Sequence, residues 1–290
     1  ALRSQKSAIN NRYSEMIDHE FYKLEDAKEF NPDIVFITNP TSLHVETALE
    51  FINQASAMFI EKPVSDSVEK VQKLIDQNKN TMVHVACPLR YHPALQFIKK
   101  YLENSPKIYN IKIVYGSYLP EWRPGQDYKN TYCARKELGG GVSLDLIHEI
   151  DYMRWIFGDI DGGYFGSSKI SELELETEDI SYGIWKLKNG ILCEMHLDYF
   201  RKVTERYLEI ITKESVIRVD LVNSLVNIED GKKTEKFDFD FDRNDMYINE
   251  MNYFLNCIHN GKESFNDLSF ALKTLKYALY MRDNAGIVNL

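Results

Sequence analysis

Two joined units, a parallel α/β domain and an α+β domain with a large open, mostly antiparallel sheet, are what this sequence predicts. Three observations carry the expectation. Up to Cys87, short continuous apolar runs alternate with helical patterns, as in a parallel sheet covered on both faces. Beyond Leu102 the runs become longer and alternating, and from Gly163 to Phe239 strand signals follow one another with little helix between them. The 290 residues allow two domains, because single cores stop growing at about 250–300 residues. We place the boundary at residue 90, giving a 1–90 unit of a nucleotide-binding type of architecture and a 91–290 α+β unit. The last helix is able to pack back on the first unit.

In chain order, Phe21–Leu24 reads as a short strand, Glu25–Phe30 as a brief helix and Asp33–Thr38 as a buried strand. Ser42–Asn53 follows as a helix with Leu43, Ala48, Leu49 and Ile52 on one side, then a strand at Ala57–Ile60. Ser65 is expected to cap a helix running to Asp76, with Val68, Val71, Leu74 and Ile75 at helical spacing, before a strand at Thr81–Cys87. Pro93–Leu102 is a helix leaving the first unit, Ile108–Tyr118 a long strand, residues 119–138 an aromatic and charged loop, and Val142–Phe157 a helix. Strands are expected at Gly163–Ser168, Ile180–Leu187, Ile191–Tyr199, Tyr207–Thr212, Ser215–Val219, Ser224–Ile228 and Thr234–Phe239, then helices at Asn244–Ile258 and Leu268–Arg282.

Composition narrows the partners. Hydrophobic content of 44% with 27% charged residues is that of a globular protein, and a net charge of −9 disfavours nucleic acid and anionic membranes. A small molecule is the expected partner. No apolar run is long enough to span a bilayer and no leader pattern opens the chain, so a cytoplasmic location is expected. Cys87, Cys133, Cys193 and Cys257 lack the spacing of a zinc site or a disulfide framework. The acidic runs Glu172–Asp179 and Asp238–Asp245 read as solvated, the phenylalanines of the second packing inward, and neither has trustworthy metal-ligand spacing.

Chemistry concentrates in two places. The apolar run Met58-Phe59-Ile60 ends in Glu61-Lys62-Pro63, delivering an acid and an amine to the carboxyl edge of the sheet, where open α/β proteins bind ligands. The same residues also suit an ordinary strand exit, since proline withdraws a donor and charges solvate the end. The second place is Gly139-Gly140-Gly141 followed by Asp145 and His148, three residues apart on one expected helical face. A carboxylate beside an imidazole suits proton transfer near neutral pH, though Asp145 can equally support the helix start and His148 fill an interface. His84 and His196 read as core or sheet-face histidines.

In this order and spacing, Thr38-Asn39-Pro40 with His44, Glu61-Lys62-Pro63, Leu89-Arg90-Tyr91-His92-Pro93 and the triple glycine through His148 to Asp151 resemble the glucose–fructose oxidoreductase and inositol dehydrogenase (Gfo/Idh/MocA) family over nearly the whole chain. The resemblance implies a Rossmann-type first domain and an NAD(P)-dependent oxidoreductase acting on a secondary hydroxyl or ketone of a sugar or sugar derivative. Lys62 and His148 would act at the hydroxyl, with Asp145 beside them. Thr38, Asn39, Pro40, His44, Glu61, Lys62 and Arg90 would line the nicotinamide side. Self-association as a homodimer or homotetramer is implied as well.

Two departures stand out. The phosphate-binding G-x-G-x-x-G turn is absent, so Ala1–Ser4 reads as the close of a second strand, with roughly 30 residues of the fold expected upstream. At that strand end Arg3 and Ser4 suit the 2′-phosphate of NADP better than the ribose of NAD. Many relatives also separate the acid and the histidine by four positions, whereas Asp145 and His148 are three apart. The loop holding Trp122, Arg123, Tyr128 and Arg135 has the flat faces and forked donors of a sugar site, an amino or nucleotide-activated sugar included. Packing between domains or subunits is the plainer use of such a loop. A dinucleotide-binding sensor without turnover is the rival expectation.

Overall fold

A computed structural model describes residues 15–103, 107–283 and 286–289, the last four as backbone. Helix α1 (Leu24–Glu29) leads into β1 (Ile34–Ile37), a 3-10 turn at Thr41–Leu43, α2 (His44–Phe51), β2 (Ala57–Ile60), α3 (Val68–Gln77) and β3 (Met82–Val85). The three strands form a parallel sheet in the order β1-β2-β3. Strand β2 is buried along its whole length, which is why it reads as a continuous apolar run. Ser67, rather than the expected Ser65, caps α3 by accepting from the Lys70 backbone N–H at 3.3 Å. The expected strand at Phe21–Leu24 reduces to a single bridge at Phe21, because α1 already starts at Leu24.

Helix α4 (Pro93–Leu102) crosses to β4 (Ile108–Tyr118). After the loop come α5 (Val142–Asp145), α6 (His148–Phe157), β5 (Ile160–Ser168), β6 (Ile180–Leu187), β7 (Leu192–Asp198), β8 (Phe200–Thr212), β9 (Val216–Asp220), β10 (Leu225–Glu229), β11 (Thr234–Asp238), α7 (Arg243–His259), α8 (Leu268–Asp283) and β12 (Gly286–Asn289). The second sheet runs β11-β10-β9-β8-β4-β7-β6-β5-β12, all antiparallel except for the pair β4 and β7. Strand β8 starts seven residues before the expected Tyr207, since Phe200–Glu205 extends its pairing with β4 past a bulge at Gly116–Tyr118.

Helix α8 ties the units together, lying against α3 and β3 on one side and α6 and β5 on the other. One apolar core accordingly runs through both sheets, and a second small cluster joins Phe59 to Phe254 of α7. His84 is fully buried there, its ring nitrogens 2.8 Å from Ser264 Oγ and 3.2 Å from Glu250 Oε1. The acidic segment at 172–179 is less solvated than its composition suggests. Asp179 is buried and accepts from the backbone N–H groups of Ile170 and Ser171 at 2.8 and 2.9 Å. Among the described residues no helix is long and apolar enough to cross a membrane.

Candidate active site

The carboxyl ends of β1 and β2 leave the sheet side by side. Ile37 pairs with Ile60, and the Glu61 N–H donates to the Ile37 carbonyl at 2.9 Å, so Thr38-Asn39 and Glu61-Lys62 become neighbours. His44 stitches the two exits together, its ring nitrogens 2.7 Å from the Asn39 carbonyl and 2.8 Å from that of Pro63. Burial pulls the His44 pKa down, and the two carbonyl acceptors oppose that shift. Burial also raises the Glu61 carboxyl, with Lys62 opposing it.

Three glycines shape the other half. Gly139 closes the preceding turn in the left-handed region at φ 79, and a side chain at Gly140 would collide with the Tyr132 and Cys133 carbonyls. This close approach brings Tyr132 to Asp145. The expected single helix breaks at Leu146-Ile147, where Leu146 departs from helical dihedrals, so Asp145 closes α5 and His148 opens α6. As a correction to the single-helix expectation, the two residues lie on separate helices, and among the described residues their side chains are not hydrogen-bonded to each other.

Asp145 instead serves Lys62. The Lys62 ammonium donates to the Asp145 backbone carbonyl at 2.7 Å and lies 3.5 Å from Oδ1, while Tyr132 and Tyr199 hydroxyls donate to Oδ1 and Oδ2 at 2.7 and 3.1 Å. Burial works to raise the Asp145 pKa, but Lys62 and these donors outweigh it and hold the carboxyl below its ordinary value. For His148 burial comes first, followed by the positive charges of Lys62, Arg206 and Arg243, and together they hold its pKa well below 6.5. Among the described residues neither ring nitrogen has a hydrogen-bond partner, and Nδ1 is sealed from solvent, leaving Nε2 as the one open to the cavity.

Helix α6 is clamped from both sides. Asp151 receives Arg90 in a fork, with Nε and Nη2 each donating at 2.7 Å. Glu149 receives Arg206 of β8 in another, at 2.7 and 2.9 Å. Both carboxylates are buried, so His148 is held between two desolvated ion pairs.

Lys62, Asp145 and His148 line one cavity of 520 Å³ together with Trp122, Arg123, Tyr132, Ser117, Tyr115, Arg206, Arg243 and Tyr247. Of the expected residues it thus gathers Lys62, Asp145, His148, Trp122 and Arg123. Arg90 does not reach it: its guanidinium is 1% exposed and stacks 4.4 Å from the Phe270 ring. Tyr128 and Arg135 are drawn away as well, Tyr128 accepting from the Glu174 N–H at 3.0 Å and Arg135 pairing with Glu176 at 2.9 Å. Thr38, Asn39, Pro40 and Glu61 stand on the neighbouring strand ends, and Arg3 and Ser4 lie outside the described residues. Tyr199, Arg206 and Glu149 escaped the sequence reading, since nothing local marks a tyrosine or a strand arginine whose partner is 54 or 57 residues away, and Tyr132 stood only as part of the aromatic loop, without its role at Asp145.

The residues present fit the nicotinamide end of a dinucleotide. Thr38 and Pro40 are exposed at the sheet edge, and Asn39 Oδ1 there is a buried acceptor without a partner among the described residues.

A sheet-end cavity between a parallel α/β domain and an open-sheet α+β domain defines a class of two-domain α/β protein, and sequence comparison makes it specific. Residues 2–88 match the profile described as "Oxidoreductase family, NAD-binding Rossmann fold", and residues 106–218 match the GFO/IDH/MocA C-terminal domain. The chain belongs to the Gfo/Idh/MocA family. The myo-inositol 2-dehydrogenase of Thermotoga maritima is 22% identical over 278 residues, 90% of this chain and 78% of that protein. Other curated relatives match over a shorter stretch, and the chain spans only 36–37% of their length. The fold is that of levoglucosan dehydrogenase solved with NADH and levoglucosan (TM-score 0.84, 15% identity, 97% of this chain and 86% of that one). It is also that of the WlbA dehydrogenase from Bordetella pertussis solved with NADH and UDP-GlcNAcA (TM-score 0.82, 18% identity, 100% and 89%).

Proposed function

We propose that the protein is an NAD(P)-dependent oxidoreductase working on a secondary hydroxyl, or the matching ketone, of a sugar or sugar derivative. The observation that carries this reading is the convergence of a charged Lys62 and a neutral, unpartnered His148 on one cavity at the carboxyl end of a parallel sheet. Membership of an NAD-binding oxidoreductase family and the sugar ligands of the two structural neighbours support it.

When bound, the nicotinamide supplies hydride exchange with the sugar carbon. His148 accepts the hydroxyl proton at Nε2, its neutrality leaving that lone pair available. Lys62 has three protons and the Asp145 carbonyl takes one, so another is free to hydrogen-bond the substrate oxygen and stabilise developing alkoxide charge. Asp145 fixes the ammonium. Trp122 and Arg123 form the wall for the rest of the sugar, and Thr38, Asn39, Pro40 and Glu61 form the nicotinamide side. His44 holds those two strand exits in register, and Arg90 acts through Asp151 on α6. Tyr128 and Arg135 shape the loop that presents Trp122 and Arg123.

For the cofactor we favour NADP, on Arg3 and Ser4 alone; a thermal-shift comparison that stabilises the protein more with NAD would reverse the choice. We also propose self-association through the outer face of the nine-stranded sheet, where Tyr164, Tyr182 and Ile184 are 53%, 41% and 54% exposed. Sedimentation showing only monomer at micromolar concentration argues against it. Four buried, unpaired cysteines suit the reducing cytoplasm.

The test is turnover on a sugar panel with the purified protein. His148→Ala and Lys62→Ala are each expected to lower it by about 10²- to 10⁴-fold. Wild-type turnover in both variants would sink the assignment, and binding of NADPH without any hydride exchange would favour the sensor.

A further inference from the structure

The charges around the cavity do not balance. Four cationic side chains line it: Lys62, Arg123, Arg206 and Arg243. Two are spoken for, Lys62 by Asp145 and Arg206 by the buried Glu149 behind the wall. Among the described residues the other two have no carboxylate partner. Arg123 stacks over the Tyr132 ring at 5.1 Å, donates to the Cys133 thiol at 3.5 Å and makes no ion pair among the described residues. Arg243, exposed in the first turn of α7, makes no ion pair among the described residues. Among the described residues, Asp145 is the only carboxylate in the lining. The result is a cationic cavity in a chain whose net charge is −9.

Arg243 also sits at a junction. It lines a second, outer cavity of 740 Å³ with His92, Asn223, Ser224, Asp238 and Asp240, so the inner cavity continues past it. The acids Asp238 and Asp240 face only that outer space. An unpaired guanidinium offers forked donors matched to carboxylate and phosphate oxygens, and it is desolvated by any ligand that fills the cavity without pairing with it. A neutral sugar would therefore leave two arginines uncompensated.

From this we infer that the substrate is an anion: a sugar whose carboxylate or phosphate is held by Arg123 and Arg243 while its reacting hydroxyl lies at Lys62 and His148. This rests on the site assignment above and adds the substrate's charge class and the residues that select it. The two sources of that oxyanion predict different reaches. A sugar carboxylate or monophosphate ends at the arginines, whereas a diphosphate linkage passes Arg243 into the outer cavity.

The experiment is calorimetric binding of glucose, glucuronate, glucose 6-phosphate and UDP-glucose to the wild-type protein and to Arg123→Gln and Arg243→Gln. Wild type is expected to bind at least one anionic probe about 10-fold or more tighter than glucose, and each variant to lose most of that preference, as removal of a charge-assisted hydrogen bond predicts. The inference is overturned if wild type shows no preference over glucose, or if both variants keep it. It is also overturned if saturating ADP abolishes the binding of whichever probe is preferred, since the arginines would then belong to the dinucleotide phosphates. Preference for UDP-glucose alone, lost in Arg243→Gln, selects the diphosphate source. Because binding is read directly, an arginine-dependent preference without turnover would refute the proposed catalysis and leave the charge assignment standing.

Discussion

Replacing Arg206 by methionine tests whether the clamp on α6 is energetic or incidental. Glu149 is fully buried and receives both prongs of the guanidinium, at 2.7 and 2.9 Å, so the variant leaves a carboxylate with no counter-charge. Breaking one side of such a pair costs about 3–5 kcal/mol, and the cation–π contact with Tyr115, at 4.2 Å, adds about 0.5–1 kcal/mol. Burial already raises the Glu149 pKa with Arg206 opposing it, so loss of Arg206 raises it further. The sign follows from linkage: an acid whose folded pKa is raised stabilises fully while the unfolded chain is also protonated, and that stability is lost as pH rises through the folded value. Urea unfolding should therefore show a deficit of about 4 kcal/mol near pH 7.5 that shrinks toward about pH 4.5. The double variant Glu149→Leu with Arg206→Met should recover most of it, because an apolar pair of similar bulk has no charge to desolvate. A deficit below about 1 kcal/mol, or one that does not change with pH, would refute the view that Glu149 is ionised and held by Arg206.

Other outcomes follow from the same geometry. Tyr199→Phe removes a donor from buried Asp145 and should cost about 1.5–3 kcal/mol by urea unfolding while raising the carboxyl's pKa; an unchanged midpoint would mean the 3.1 Å contact carries nothing. Gly140→Ala pushes a methyl into the Tyr132 and Cys133 carbonyls and should destabilise by about 1–3 kcal/mol, with loss of activity if Tyr132 is displaced; near-wild-type stability would show that the turn can yield. His92 is lowered from 6.5 to about 4, chiefly by burial and then by Arg206, so it contributes up to about 3 kcal/mol above pH 6.5 that is lost as the pH falls toward 4. His92→Phe should flatten that part of the stability curve, and an unaltered slope would assign the acid sensitivity elsewhere.

The parallel domain was legible because a buried β2 has no reason to alternate and its helices repeat at 3.6 residues. The larger sheet was legible for the opposite reason: β6 alternates buried and exposed positions along most of its length, burying Trp185 and Leu187 while Tyr182 and Ile184 stay out. Half of the site was legible for a similarly local reason, since Glu61-Lys62 ends a strand and the triple glycine announces a tight turn. What was not legible is long-range: Tyr199 reaches Asp145 from a strand junction 54 residues on, and Arg206 reaches Glu149 across 57 residues. Arg90 entered through the resemblance carried by Leu89-Arg90-Tyr91-His92-Pro93, and its burial against Asp151 and aromatic rings was equally long-range.

The break at Leu146-Ile147 gives the two halves of one motif separate tasks, and Lys62 links them again. Its charge acts in the same direction on both neighbours, helping to keep Asp145 ionised and His148 unprotonated. One lysine thus supports the two protonation states that proton transfer needs, an anion to hold the ammonium and a neutral imidazole to receive the proton. A Lys62→Ala variant consequently loses more than a hydrogen bond to the substrate, since the His148 pKa should rise and the acid limb of the rate profile should move to higher pH. Lys62→Arg keeps the charge and moves the donors. If the acid limb stays in place with arginine but shifts with alanine, the electrostatic role is separate from the hydrogen bond; if it moves equally in both, the charge of Lys62 is not what keeps His148 neutral.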